Sequence, residues 1–416
     1  MENEAGDNNV RAPLHGLRVI DMTRVVAGPL ATQTLGDLGA DVIKVERPGE
    51  GDDSRRVGPP WMKDADGNEL EQSTYFQSVN RNKRSISIDF GKPEGVDVLR
   101  RLVERSDILV ENYRPGTLAR YGLGYDDLRR INPRLIYCSV SGFGQSGPYS
   151  GRSGYDFLAQ AMAGVMSVTG YPDGAPGGGP MRVGIPLADT LTGLQAVIGI
   201  LAALAHRNET GRGQMVDVSL FESQFAAMLN AASAWLNAGV DLGRTGNDHP
   251  SAAPYGVYPV DDGYILIATF NDREFGRLAN VLGHPEWAED ARFAKNGARV
   301  KNRPALKAAV TEALKGRTKA DWVRILNDAT VSCGPINKME DIETDPHVAA
   351  RGMIVEMKHP QLGTVRSPAA PYRFSESPTS YRLAPPLVGE HSEEVLREII
   401  GLSDEDVAAL RHSSVL

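Results

Sequence analysis

A single aspartate precedes the most apolar stretch of this chain, in Gly184–Ala205 (GIPLADTLTGLQAVIGILAALA). Residues Leu191–Ala205 carry almost no charge, which predicts a helix that is buried on most sides. Asp189 lies at the expected N-terminus of this helix, where unpaired backbone N–H groups favour an anion. A carboxylate held there, behind the Gly-rich run Gly174–Gly179, could attack an acyl group as a nucleophile. The alternative is an ordinary helix N-cap.

The composition is that of a globular protein, since 41% of the 416 residues are hydrophobic, 24% are charged and the net charge is −8. This length allows two domains. No basic stripe with interleaved aromatic residues indicates a nucleic-acid partner. The apolar run near Leu194–Ala205 is shorter than a bilayer requires and no signal peptide is evident, so we expect no membrane association and a cytoplasmic location. Cys138 and Cys333 form no CxxC or Cys/His cluster, so we expect no metal.

The first half of the chain alternates predicted strands and helices. Leu17–Asp21 and Asp41–Glu46 flank a helical pattern, and further strands are expected at Asp107–Asn112 and Arg134–Gly144. This alternation predicts a doubly wound α/β domain with a parallel sheet, whose ligands bind beyond the carboxyl ends of the strands. The turns expected at that edge are Thr23–Gly28, Arg47–Asp53, Asn112–Gly116 and Ser141–Gly147.

The motifs also bear on two other enzyme classes. Glu46 at the end of the second strand suits a dinucleotide-binding fold, but the first turn, TRVVAG, lacks the GxGxxG phosphate-binding sequence. An NAD-dependent oxidoreductase therefore stays only as an alternative. The GQSG sequence at Gly144–Gly147 does not have the GxSxG spacing of a serine hydrolase, and Pro148 follows it, which favours a loop.

A second, smaller α+β region is expected after the turn-rich segment Gly239–Pro254. The sequences YGVYPV and YILIATF flank Asp261–Gly263, which predicts a hairpin. Helical patterns follow at Arg273–Leu282, Pro304–Leu314 and Thr318–Asn327, and two more close the chain at His391–Ile400 and Asp404–Arg411.

The ordered motifs resemble those of the class III CoA-transferases, the group that includes formyl-CoA and carnitine CoA-transferases. They run from GLRVIDMTRVVAGPLATQTLGDLGADVIKVERPGEGDD through NKRSISIDF, VENYRPGTLARYG, GYDFLAQAMAG, PLADTLTG and TGRGQMVDVSL to CGPI and LVGEHSEEVL. The resemblance implies a large Rossmann-like domain made from residues 1–225 and 336–416, with a smaller α+β domain at 226–335. It also implies an interlocked homodimer.

The resemblance assigns the nucleophile to Asp189 in the D-x-x-T-G motif Asp189–Gly193. It implies an aspartyl anhydride and then an aspartyl-CoA thioester, with a CoA thioester and small carboxylic acids as substrates and no permanently bound cofactor. We conjecture that N–H groups of Gly177–Gly179 stabilise the oxyanions. Matching positions place CoA against Ala27, Arg47, Asn112, Arg120, Tyr155 and Asp156. Without the resemblance, Arg47 and Arg120 would be interpreted as surface ion-pair residues and Tyr155 as a core aromatic.

The motifs also bear on the substrates. Val26 stands where some members have a glutamine, which argues against formyl-CoA or oxalate, and His249–Tyr255 (HPSAAPY) resembles members that use succinyl-CoA and dicarboxylates. A second substrate carboxylate would need a cation, for which the candidates are Arg24, Arg182, Arg244 and His249.

Three alternatives lie within this resemblance. The same residues could transfer CoA intramolecularly, for example within mesaconyl-CoA. A related α-methylacyl-CoA racemase would have a Gly-His-Asp triplet where this chain has Gly154–Asp156 with a central tyrosine, a poorer general base near neutral pH. A non-catalytic CoA-binding subunit is disfavoured because the motif containing Asp189 is intact.

Overall fold

The computed structural model describes residues 11–64 and 66–416, and it is a mixed α/β structure. Three short 3₁₀ helices lie at Asp53–Arg56, Leu118–Tyr121 and Pro285–Ala288. The strands are β1 (Arg18–Met22), β2 (Asp41–Glu46), β3 (Trp61–Lys63), β4 (Glu69–Ser73), β5 (Lys83–Ser87), β6 (Ile108–Glu111), β7 (Ile136–Ser141), β8 (Met215–Ser219), β9 (Tyr255–Val260), β10 (Gly263–Ala268), β11 (Ser332–Pro335), β12 (Ile354–His359) and β13 (Gly363–Pro368). The helices are α1 (Ala27–Asp37), α2 (Thr74–Gln77), α3 (Pro93–Glu104), α4 (Tyr125–Ile131), α5 (Asp156–Met162), α6 (Val165–Val168), α7 (Leu187–Thr210), α8 (Leu220–Ala226), α9 (Leu229–Ala238), α10 (Asp272–Val281), α11 (Asn296–Lys301), α12 (Arg303–Ala313), α13 (Lys319–Asp328), α14 (Met339–Glu343), α15 (Pro346–Ala350), α16 (Ser392–Ile400) and α17 (Asp404–His412).

The chain divides into two compact units. Among the described residues, unit 1 contains 11–64 and 66–163 together with Gly184–Met228 and Ala349–Leu416, and unit 2 contains Gly164–Val183 and Leu229–Val348. The segment Gly164–Val183, which the sequence prediction kept in the large domain, therefore groups with unit 2. Within that unit Gly246 N–H donates to the Gly170 carbonyl at 2.9 Å. Unit 2 also extends to Val348 instead of residue 335.

A six-stranded parallel sheet forms the centre of unit 1, in the order β5-β2-β1-β6-β7-β8. Counted along the chain within this sheet, the order is 3-2-1-4-5-6, which is that of doubly wound α/β folds. The prediction of a parallel α/β sheet is confirmed. The order reverses between β1 and β6, where ligands of such sheets bind.

Helices cover both faces of this sheet. Alternate residues of each strand point to opposite faces and pack into a separate hydrophobic core on each face. Val19, Val42 and Ile108 pack with residues of α1 and α7 on one face. Ile20 and Ile43 pack with α3, and also with α16 and α17 from the C-terminal segment, on the other. Strands buried on both faces explain the continuous apolar runs in the sequence.

Helix α7 has 24 residues, and it is long and apolar enough by length and composition to cross a membrane. The expectation that this run is too short was therefore wrong about length, because the helix continues beyond the apolar stretch at both ends. In the structure Ala196, Ile200 and Ala203 of α7 are buried in the core that it shares with α1. Helices in the cores of soluble proteins have this same composition.

Unit 2 contains a three-stranded antiparallel sheet in the order β11-β10-β9. The hairpin predicted around Asp261–Gly263 is confirmed by the antiparallel pairing of β9 with β10. Ile265 and Ile267 of β10 pack against Phe275 and Leu278 of α10 and Trp322 of α13 in a separate core. The small α+β region has its own hydrophobic centre.

Candidate active site

A cleft of about 270 Å³ lies in unit 1 at the carboxyl ends of β1, β6 and β7. The N-terminal ends of α1, α5 and α7 also contribute residues to it. The structure therefore joins elements that are far apart in the chain at the edge of the sheet where the sequence predicts ligands. Five predicted site residues line this cleft: Ala27, Asn112, Tyr155, Asp156 and Asp189.

Asp189 lies inside the first turn of α7 rather than in front of the helix. The helix begins at Leu187, and its N-cap is Pro186, which supplies no side-chain hydrogen bond. The N-cap alternative for Asp189 is therefore wrong. Its backbone N–H instead donates to Oδ1 of Asp156 at 3.1 Å, so a carboxylate from α5 satisfies one N–H of the helix terminus.

The side-chain carboxyl of Asp189 accepts no hydrogen bond within residues 11–64 and 66–416. The residue is half-buried. Burial, and to a smaller extent the nearby carboxylate of Asp156, together raise the pKa of Asp189 to about 7. Near neutral pH this group exchanges between an acid and a poorly solvated carboxylate. An unpaired carboxylate of this kind is available as a nucleophile or a base.

Asp156 is held more firmly than Asp189. It is buried, and Nε2 of the fully buried Gln160 donates to its Oδ2 at 2.7 Å. Two glycines bring the chain into this position: a Cβ atom on Gly154 would lie 2.2 Å from the Cα of Gly142, which follows β7. Only a residue without a side chain permits that approach, so Gly142 and Gly154 fix where Tyr155 and Asp156 enter the cleft.

A third glycine sets the distance between α1 and the helix that carries the aspartate. A Cβ atom on Gly193 would lie 2.7 Å from the carbonyl oxygen of Ala27. This contact explains in physical terms why the D-x-x-T-G sequence ends in glycine. It also places Ala27 and Asp189 on adjoining walls of the cleft.

Asn112 lines the cleft, but its carboxamide is already engaged. Its Oδ1 accepts the N–H of Arg24 at 2.9 Å, and its Nδ2 donates to the carbonyl of Arg24 at 2.7 Å. The resemblance to the class III CoA-transferases predicts that this side chain contacts CoA. The structure shows it bound on both sides to the backbone of the turn that follows β1.

A second cavity, also of about 270 Å³, adjoins the first and contains the predicted residue Arg47. The two cavities share Arg24, Asp53 and Tyr113 as walls. Arg47 pairs with Glu50 at 2.7 Å, and the Glu50 carboxylate raises the pKa of Arg47. Both side chains are exposed, so an incoming anion can compete with Glu50 for the guanidinium at modest cost.

Arg120 lines neither cavity. It is exposed on the 3₁₀ helix Leu118–Tyr121, and its Nη2 lies 3.5 Å from Oγ1 of Thr117. Its neighbour Tyr121 lines the second cavity instead. The structure therefore does not bring Arg120 together with the other predicted residues.

The candidate cations for a second substrate carboxylate are divided between the two units. Arg24 lines the Asp189 cleft and pairs with Asp53 at 2.9 Å. The other three candidates, Arg182, Arg244 and His249, belong to unit 2. The Gly177–Gly179 loop also belongs to unit 2. The roles of these residues at the site therefore stay predictions.

Sequence reasoning missed several polar residues of the cleft. Arg114 donates to Oγ of Ser153 at 2.6 Å, and the Arg152 guanidinium lies over the ring of Tyr149, 4.6 Å from its centre. Arg114 could have been found, because it lies within Asn112–Gly116, a turn predicted at the carboxyl edge of the sheet. Arg152 carries no such signal, since it lies far from any predicted strand end.

The comparisons with known proteins agree with this architecture. The model of CoA-transferase family III matches residues 14–392. The chain belongs to this family. It is 43% identical over 392 residues to the succinate–glutarate CoA-transferase of Agrobacterium fabrum, covering 94% of this chain and 96% of that protein. It is 39% identical over 409 residues to human succinyl-CoA:glutarate CoA-transferase, covering 98% and 91%.

A solved structure has the same fold. The crystal structure of a CAIB/BAIF family protein from Brucella suis superposes with a TM-score of 0.83 at 44% identity, covering 94% of this chain and all of that one. The resemblance inferred from the motifs is therefore confirmed. The protein is an enzyme, a CoA-transferase, whose substrates include CoA thioesters.

Proposed function

We propose that this CoA-transferase moves CoA from succinyl-CoA to a dicarboxylic acid such as glutarate, through covalent intermediates on Asp189. The observation that carries the proposal is the unpaired, half-buried carboxyl of Asp189 in the cleft at the switch point of the sheet. The names of the relatives support succinyl-CoA as the donor and glutarate as the acceptor.

The reaction begins when the ionised carboxylate of Asp189 attacks the thioester carbonyl carbon of succinyl-CoA. The C–S bond breaks, CoA leaves as the thiolate, and a succinyl–aspartyl anhydride remains. The thiolate then attacks the aspartyl carbonyl carbon, which releases succinate and leaves CoA as a thioester on Asp189. Each step conserves the activation of one carboxyl group, so the thioester energy is not lost to hydrolysis.

The acceptor follows the same path in reverse. A carboxylate of glutarate attacks the aspartyl-CoA thioester and displaces the thiolate, which forms a glutaryl–aspartyl anhydride. The thiolate then attacks the glutaryl carbonyl carbon, and glutaryl-CoA leaves as Asp189 regains its carboxylate. Water must be kept from both anhydrides, which favours the partly enclosed position of Asp189.

For CoA we propose a path through both cavities of unit 1. The acyl end would lie near Ala27 and Asp189, and the phosphate groups would lie toward Arg47 in the second cavity. The Arg24–Asp53 pair stands between the two and would meet the middle of the bound molecule. Arginine is suited to phosphate because its guanidinium donates two parallel hydrogen bonds.

We further propose a homodimer, because two helices expose apolar faces that a single chain does not cover. In α7, Leu194, Ile198 and Leu201 are spaced to share one face, and the exposed fraction of Ile198 is 58%. In α9 no residue is buried, and Trp235 and Leu236 are exposed. Contiguous exposed apolar side chains of this kind mark interfaces between proteins. Analytical ultracentrifugation should give twice the chain mass, and a monomer at micromolar concentration would reject the dimer.

The test of the proposed function is a transfer assay with the purified protein. Succinyl-CoA is mixed with glutarate, and the acyl-CoA products are separated by chromatography, with D-citramalate and L-malate as competing acceptors. Glutaryl-CoA formed by the wild type and not by Asp189→Ala supports the proposal. Equal turnover by Asp189→Ala would reject Asp189, and rearrangement of mesaconyl-CoA without any acceptor would favour intramolecular transfer.

A further inference from the structure

The turn between β1 and α1 contains a residue with an unfavourable backbone conformation. Val25 has a φ of 72°, in the left-handed region that a β-branched residue rarely occupies. Such strain persists only where the surroundings enforce it. Val25 lines the cleft together with Arg24, Val26, Ala27 and Asp189, so the strain lies at the proposed reaction site.

Side chains from three other segments hold every backbone polar group from the Thr23 carbonyl to the Val25 N–H. Lys44 Nζ donates to the Thr23 carbonyl at 2.9 Å. The Arg24 N–H and carbonyl are both bound by Asn112, and the Val25 N–H donates to Oδ1 of Asp52 at 3.1 Å. Lys44 and Asp52 are themselves a fully buried ion pair at 2.9 Å. The turn is thus built onto a rigid polar support.

Lys44, Asp52 and Asn112 thus hold the turn. Of these three side chains, only Asn112 also lines the Asp189 cleft, as far as the described residues show. It binds two successive hydrogen-bonding groups of one residue, which fixes the orientation of the peptide planes on either side of Arg24. The contact of Gly193 with the Ala27 carbonyl then ties the same turn to α7. A change at Asn112 would therefore alter how the turn faces the atoms that react at Asp189.

We propose that Asn112 is a positioning residue for acyl transfer, which holds the Arg24–Val25 turn in its strained form against the reacting atoms at Asp189, and does not bind CoA through its side chain. The inference rests on the proposed function, since it takes Asp189 as the nucleophile. It differs from the CoA contact that the family resemblance predicts for this side chain. A positioning role and a binding role differ in which kinetic parameter they change.

The matched control is Asn132, another half-buried asparagine with a carboxamide bound to backbone groups. Its Nδ2 donates to the carbonyls of Val103 and Ser106 at 3.0 and 2.8 Å, and its Oδ1 accepts the N–H of Arg134. It precedes β7, at the opposite edge of the sheet from the cleft. Asn132→Ala thus removes similar hydrogen bonds without touching the turn.

The experiment measures kcat and KM for succinyl-CoA and glutarate in Asn112→Ala, Asn132→Ala and the wild type. We expect kcat of Asn112→Ala to fall about 100-fold, because displacing a reacting group by about 1 Å costs that much, with KM for succinyl-CoA within about threefold. Asn132→Ala should keep the wild-type kcat. A kcat for Asn112→Ala within tenfold of that of Asn132→Ala would overturn the proposal, including the case where only KM for succinyl-CoA rises.

Asn112→Asp is the second variant if Asn112→Ala does not fold. It keeps the acceptor for the Arg24 N–H and replaces the donor to the Arg24 carbonyl by an oxygen, so the same loss of kcat is expected. Asp189→Ala is assayed in parallel. Wild-type turnover by Asp189→Ala rejects the proposed function, whereas an inactive Asp189→Ala with a fully active Asn112→Ala rejects only the positioning role.

Discussion

The backbone N–H of Asp189 donates a hydrogen bond to the carboxylate of Asp156 at 3.1 Å. Asp156 is thereby close enough to oppose ionisation of the Asp189 side chain while it anchors the start of α7. Burial and this like charge together hold the pKa of Asp189 at about 7, so the proposed nucleophile is poised near neutral pH before substrate binds.

The rate of the first covalent step should depend on pH through Asp189. Only the carboxylate attacks, so kcat/KM for succinyl-CoA should rise about tenfold per pH unit below 7 and level off above it. Asp156→Asn keeps an oxygen to accept the Asp189 N–H but removes the like charge, so its profile should shift to lower pH. A profile that is flat between pH 5 and 8 would contradict the assignment.

Asp189 should also lower the free energy of unfolding at high pH. Its folded pKa is raised above the ordinary value of 3.8, so the protein loses stability as pH rises from about 4 to 7, and the full cost is present above 7. Asp189→Asn should therefore raise the unfolding free energy at pH 8 by about 1–2 kcal/mol, since solvent screens part of the effect at a half-buried group. Urea titrations of both proteins measure this difference.

The two proteins should have equal stability below about pH 3, where the carboxyl of Asp189 is protonated in both the folded and the unfolded chain. Burial also raises the pKa of Glu111 to about 7, but this group is present in both proteins and cancels in the comparison. If Asp189→Asn is less stable than the wild type at pH 8, the folded protein stabilises the Asp189 carboxylate, and the prediction is wrong.

The close approach of α7 to α1 predicts that Gly193→Ala is harmful. The added methyl group would lie 2.7 Å from the Ala27 carbonyl oxygen, so the helices must separate, at a cost of about 1–3 kcal/mol. Turnover should fall together with thermal stability. Gly276 in α10 is the control, because a Cβ atom there meets nothing within 4 Å, and Gly276→Ala should be neutral or stabilising by up to about 1 kcal/mol. Equal melting temperatures for the two variants would refute the close contact.

The buried charges beneath the first turn should be essential for folding. Lys83 Nζ and Asp21 Oδ2 are 2.9 Å apart and fully buried, so Asp21→Ala leaves an ammonium group without its counter-charge. We expect a loss of about 3–5 kcal/mol. Asp126→Ala removes the exposed partner of Arg129 and should cost less than about 1 kcal/mol. Similar losses in the two variants by chemical denaturation would contradict the difference in burial.

Much of the sheet could be predicted because its strands are short apolar runs separated by amphipathic helices. The strand at Asp41–Glu46 has the predicted bounds. Within the first strand pair, however, the sequence does not reveal that Lys44 is fully buried, since its partner Asp52 lies in a loop. The pairing depends on the tertiary structure and leaves no periodic signal.

From the sequence, a site residue could be predicted only where it belongs to a recognisable motif or lies at the end of a predicted strand. The sequence predicts Asp189 and Asp156 as site residues, but the hydrogen bond between them joins two helices and spans 33 positions of the chain. The clamp of Asn112 on Arg24 spans 88 residues and involves backbone groups, which have no sequence signature. For that reason the hydrogen bonds between Asn112 and the turn could not be predicted from the sequence.

The most direct test of covalent transfer through Asp189 is the intact mass of the protein after mixing with succinyl-CoA, followed by peptide mapping. We expect a CoA or succinyl adduct on the peptide that contains Asp189, which hydroxylamine removes and which Asp189→Ala lacks. Addition of glutarate should discharge the adduct as glutaryl-CoA. An adduct on another residue, or undiminished turnover and labelling in Asp189→Ala, would contradict the account.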